Sequence, residues 1–144
     1  SYSGPTGSVH VESDAQAGKK IYADRDLVFS DLPAPLAGSD WVQTANADKL
    51  YSAVDLLEFS LKVDGVVYVA HDHRLPVPDW LQRQFRHTEM ALAINGQPMK
   101  VYEHQLRRGE SLTLGSNTEN NRLKACTMYV VFVNRAESAV AARR

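Results

Sequence analysis

Between Leu56 and Arg74 the chain reads LLEFSLKVDGVVYVAHDHR. Leu57, Phe59, Leu61 and Val63 alternate with Glu58, Ser60 and Lys62, the period of two that marks a strand with one face in a core. Asp64-Gly65 tolerates positive φ and precedes a second β-rich run, Val66 to His73, so a hairpin with a two-residue loop is predicted. That loop sets Val63 opposite Val66, Leu61 opposite Tyr68, Phe59 opposite Ala70 and Leu57 opposite Asp72 on the core face. The other face carries Lys62 with Val67, Ser60 with Val69, Glu58 with His71 and Leu56 with His73. It ends in a cluster of Glu58, His71, His73 and Arg74.

Outward from this stretch the pattern stays β-like. On the N-terminal side, Val9-His10-Val11-Glu12 alternates and reads as an edge strand or one donated to a neighbour. Lys19 to Tyr22, Asp26 to Leu32 and Trp41 to Thr44 read as further strands, and Asn46 to Lys49 as a polar turn. On the C-terminal side, Pro78 suits the first position of a short helix over Asp79 to Phe85, with Leu81 and Phe85 on one face. Thr88 to Ile94 and Met99 to Leu106 form a predicted second hairpin with a four-residue loop, Asn95 to Pro98. Ser111 to Leu114 follows, then a polar loop over 115–124. Cys126 to Val133 is apolar on both faces, as a central strand is. Short strands with turn signals about every ten residues predict an all-β fold: an antiparallel, jelly-roll-like β-sandwich with one short helix near 78–86. Its expected divisions are an N-terminal extension (1–18), the sandwich (19–134) and a C-terminal tail (135–144).

The bulk properties narrow the function. A chain of 144 residues with 44% hydrophobic and 23% charged residues suits one globular domain with a real core. A net charge of −1, with both signs interspersed, lacks the basic footprint of a nucleic-acid binder. No apolar run approaches the ~20 residues that would span a bilayer. The chain begins at Ser1 rather than Met, which points to a processed protein or a piece of one. The single cysteine, Cys126, excludes an internal disulfide and a cysteine-based zinc cage, and reads as a buried thiol.

Three groups of residues could carry chemistry. His71 and His73, two apart on a strand, project to one face and with Glu58 beside them make a candidate zinc or calcium site; the alternative is a surface histidine pair satisfied by a carboxylate. Trp41, Trp80, Tyr51 and Tyr102 could stack on sugar rings while Asp72 and Arg74 bond hydroxyls. Against this, Trp80 would serve equally to anchor the short helix, and Asp72 to pair with Arg74 or Arg25 or to cap a loop. Asn117, Asn120 and Asn121 could meet hydroxyls or satisfy loop backbone. Asp24, Asp26, Asp72 and Asp79 qualify as catalytic carboxylates by type alone, and no serine lies in a nucleophile elbow. No catalytic residue is assigned.

Several ordered motifs carry a family resemblance: Tyr22-Ala23-Asp24-Arg25-Asp26, Leu32-Pro33 with Leu36-Ala37-Gly38, Thr44 to Lys49, Val67 to Arg74, Pro78-Asp79-Trp80-Leu81, Leu114-Gly115 and Tyr129-Val130-Val131. Over about residues 20–133 the chain resembles small β-sandwich modules, themselves like carbohydrate-binding modules, of secreted polysaccharide-degrading and surface proteins of bacteria. The resemblance implies an extracellular, non-catalytic β-sandwich and assigns no binding residue; the residue types themselves make Trp41, Trp80, Asp72, Arg74 and Tyr102 the candidate polysaccharide-binding set. An alternative from another class is a structural subunit of an extracellular assembly, completed by strand exchange through its terminal segments.

Overall fold

The computed structural model describes residues 1–7, 9–51, 53, 55–118 and 126–135. Among these lie nine strands: β1 (Val9–Glu12), β2 (Phe29–Asp31), β3 (Asp40–Thr44), β4 (Leu57–Ser60), β5 (Gly65–Asp72), β6 (Arg86–Ile94), β7 (Gln97–Leu106), β8 (Ser111–Leu114) and β9 (Val130–Arg135). A 3-10 turn spans Asn46–Leu50, and the short helix α1 spans Asp79–Gln84. All pairings are antiparallel. They make a seven-stranded sheet, β1-β3-β9-β5-β7-β6-β2, and a two-stranded sheet, β4-β8. The antiparallel sandwich with one short helix is therefore observed.

The hairpin predicted at Asp64-Gly65 does not form. β4 pairs with β8, Leu57 facing Leu114 and Phe59 facing Leu112, whereas β5 lies between β7 and β9 in the other sheet. The alternation was read correctly, since Leu57 is buried and Glu58 exposed, but the chain changes layer after Ser60. At the crossing, Arg108 donates its N–H to Asp64 Oδ1 at 2.8 Å and Gly109 donates to the Leu61 carbonyl at 3.0 Å. Asp64 thus fixes the β7–β8 turn, and Gly65 opens β5 opposite Leu106. β5 is paired on both sides and buried on both faces from Val67 to Asp72.

The second hairpin forms with a shorter loop than expected. β6 and β7 are joined by Asn95-Gly96 alone, both at positive φ (46° and 81°), as a type I′ turn requires. Of the runs 19–22 and 26–32, only Phe29–Asp31 is a strand, with Lys20 bridged to Val28. The strand expected from Cys126 begins at Val130. β1 pairs with β3 in its own domain and forms one edge of the large sheet.

Directly paired residues share a face, so the register identifies both faces of the large sheet. One carries the row Val11, Val42, Val131, Val69, Tyr102; the next row, Glu12, Trp41, Phe132, Tyr68, Glu103, points the other way. On that second face Phe29 from β2 meets Trp41 and Phe132 at centroid distances of 5.5 Å, so the two ends of the sheet meet across the core. The first face is covered by β4, β8 and α1. Phe85 packs on His104, and Trp80 packs on Tyr129.

Candidate functional site

The expected binding residues do not form an aromatic platform. Trp41 is 2% exposed and donates its indole N–H to the Ile21 carbonyl, because the segment preceding β3 folds over it. Tyr102 is 6% exposed and stacks on His87. Trp80 is half-buried across Gly115, donates to the Ser116 carbonyl at 2.8 Å and anchors α1. Among the described residues Tyr51 is the one exposed aromatic, at 37%.

Asp72 and Arg74 do come together. Arg74 donates from Nε to Asp72 Oδ1 at 2.9 Å and from Nη2 to Oδ2 at 2.6 Å, a two-pronged pair in which the carboxylate side chain is fully buried and the guanidinium partly exposed. Burial alone would raise the Asp72 pKa. The Arg74 guanidinium and the backbone N–H groups of Arg74 and Thr127 outweigh it and hold the carboxyl below its ordinary value.

This pair belongs to a larger arrangement at one end of the sandwich. The N–H groups of three consecutive residues are each taken by a side chain: Thr127 by Asp72 at 2.9 Å, Met128 by Asn46 at 2.9 Å and Tyr129 by Asn117 at 3.0 Å. Side-chain oxygens stand where a neighbouring strand would, and that is why β9 starts only at Val130. Tyr22 donates its hydroxyl to the Met128 carbonyl, and Tyr129 donates to the Gly115 carbonyl at 2.8 Å. Asn46 is held in turn: Asp24 accepts the N–H groups of Asn46 and Ala47 at 2.7 and 3.0 Å. Among the described residues Thr44 Oγ1 is the one buried side-chain polar atom without a partner. A network so fully satisfied is a clamp on the chain. Its acceptors, Asn46 and Asn117, could be picked from sequence only as polar loop residues. Asn120 and Asn121 lie outside the described residues.

The histidines separate. His71 is buried and donates Nε2–H to the Asn117 carbonyl at 2.8 Å; burial holds its imidazole below the ordinary pKa. His73 is exposed, with Nδ1 beside Gln97 Nε2 at 2.9 Å. Glu58 sits in the other sheet, where Thr113 donates to it, so the predicted pairing with His71 fails together with the hairpin. Among the described residues no group of three His, Cys, Asp or Glu could hold a metal ion. Cys126 is buried, and burial pushes its thiol up.

The four carboxylates that qualified by type are separately engaged: Asp24 on the 3-10 turn, Asp72 on Arg74, Asp79 on Arg83 at 2.9 Å and Asp26 near Lys20 at 3.9 Å. Among the described residues, Arg74 and His73 are exposed and Gln97 partly so, and with Gln97 beside His73 they make a polar strip at this end. Elsewhere, a groove of about 590 Å³ lies where β4 leaves the large sheet uncovered. Its floor includes Val9, Val42 and Val133, Val11 stands exposed at its mouth, and its wall includes Phe59 and Leu61. No described helix is long and apolar enough to cross a membrane.

No family model matches the chain. Over 133 residues, 92% of its length, it is 32% identical to a β-glucuronidase from Formosa agariphila. It also superposes on a solved β-glucuronidase of glycoside hydrolase family 2 with a TM-score of 0.89 and 32% identity, over 94% of its length. In both cases the chain spans only 14% of the relative. The small-module family expected from the motifs is thus supported at a coarser level: the chain is homologous, over nearly its whole length, to one small β portion of a carbohydrate-active enzyme.

Proposed function

We propose that this chain is a non-catalytic β-sandwich module, secreted by a bacterium, that serves a carbohydrate-degrading protein by contacting its polysaccharide. The observation that carries this reading is the near-complete match to a 14% portion of a β-glucuronidase. Asp24, Asp72 and Asp79 are each held by a separate structural partner, which favours a module without turnover, because glycoside hydrolysis needs two carboxylates facing one bond. With Trp41 and Tyr102 buried, contact runs through hydrogen bonds from the Arg74, His73 and Gln97 strip. The guanidinium, pre-oriented by Asp72, suits the carboxylate of a uronic acid.

The test is affinity electrophoresis through gels containing a glucuronate-bearing polysaccharide or a neutral β-glucan, beside a reducing-sugar assay. Retardation by the acidic polymer is expected. Arg74→Ala should weaken it about tenfold, as loss of a charged hydrogen bond does, and no sugar should be released. Unretarded migration in every gel would remove the glycan-binding reading, and sugar release would make the chain an enzyme.

Burial of Trp41 and Tyr102 favours a second reading, a structural subunit of an extracellular assembly. It expects unretarded migration together with self-association.

A further inference from the structure

We propose that β1 is a self-association edge, through which two copies of this chain join their seven-stranded sheets into one continuous sheet. β1 ends the strand order, so one side of its backbone has no partner strand among the described residues. Open edges are where chains add to one another, and proteins usually guard them with lysine, proline or a bulge. None of these stands in Val9-His10-Val11-Glu12, whose register with β3 runs without a shift. Val11, at 74% exposed, is the most exposed large apolar residue described, and it stands at the mouth of the 590 Å³ groove.

The strand is complementary to itself. In an antiparallel pair, residues directly opposite point to the same face, so a twofold axis must lie midway between one residue and its own copy on the other strand. Centred on His10 it would set His10 against itself; centred on Glu12 it would set two carboxylates together. Centred on Val11, it packs Val11 on its own copy and sets His10 opposite Glu12 of the other chain twice, imidazole N–H to carboxylate. Neither side chain makes a hydrogen bond in the described structure, so both are available. The second copy brings its own Val11 to the groove mouth, and the apolar floor continues from one molecule into the next.

Sedimentation equilibrium of the full chain tests the association, and register-specific variants test the geometry. The mass should double over about 10 µM to 1 mM, the range of a small interface. H10E and E12K, which set like charges or two bases opposite each other, should each weaken the dimer about tenfold. The double variant H10E/E12K, which restores opposite charges, should recover it to within about threefold. Because a charge change could also loosen β1 from β3, V11C and H10C give a second reading under mild oxidation, with buried Cys126 as the common background. V11C should form a disulfide-linked dimer about tenfold faster than H10C, since only residue 11 meets its own copy within bridging distance. A monomer at every concentration, a double variant no better than its parents, or equal cross-linking of V11C and H10C would each overturn the proposal.

Discussion

Asp72 concentrates the energetics of the loop end in one side chain. It accepts from the Arg74 guanidinium, from the Arg74 N–H and from Thr127, all while buried. Asp72→Ala should therefore cost about 2–3 kcal/mol in urea unfolding, because it leaves the Arg74 and Thr127 N–H groups without their acceptor while the guanidinium stays in contact with solvent. Arg74→Ala should cost less, about 1–2 kcal/mol, because the carboxylate keeps its two backbone donors. Acid should act at two stages. His71 has a folded pKa below its ordinary 6.5, so the unfolded chain takes up that proton first, and stability declines as pH falls from 6.5 towards the folded value. Asp72 contributes fully above 3.8, and its contribution is lost as pH falls through its depressed folded value. Thermal melts against pH should lose the upper stage in His71→Gln and the lower one in Asp72→Asn. The Asp72–Arg74 pair was legible because the partners are two apart in sequence, Asp72 at the end of β5 and Arg74 in the turn that follows. Asn46 was not, since the N–H it accepts lies 82 residues away. Trp41 misled because its polar neighbours Ser39 and Asp40 suggest a surface, while the segment that covers it is remote.

Elements show which local signals carry tertiary information. Asn95-Gly96 and Asp64-Gly65 are equally good turn pairs by composition, yet only the first closes a hairpin. Period-two alternation identifies a strand without naming its partner, and pairing is a long-range choice. The true turn is also anchored from outside: Asn95 Oδ1 accepts the Val28 N–H at 2.9 Å, and Gly96 donates to Ser30 Oγ at 2.8 Å, tying β2 to the sheet. Gly96→Ala, at φ 81°, should cost about 1–2 kcal/mol. Gly115 has a different purpose. A Cβ there would stand 2.5 Å from Trp80 Cδ1, so Gly115→Ala should displace the indole and cost about 1–3 kcal/mol. The displacement should appear as a shift in tryptophan emission, with α1 loosened from the sandwich.

At the scale of the whole molecule, composition and periodicity were enough for an antiparallel sandwich with a helix near 78–86, because those features are local. Strand order was not, because the large sheet is assembled from distant segments. Its ladders β3–β9 and β5–β9 join residues far apart in sequence, and loop closure must precede each one. Refolding followed by stopped-flow fluorescence should accordingly fall in the range of about milliseconds to seconds. β9 sits between β3 and β5, so without it the sheet is two leaves, β1-β3 and β5-β7-β6-β2, with no shared ladder. During synthesis those leaves would emerge from the ribosome first and wait on the order of seconds for Val130–Arg135. Through that interval the nascent chain presents two unzipped seams, closed only when β9, the last strand among the described residues, slots between them.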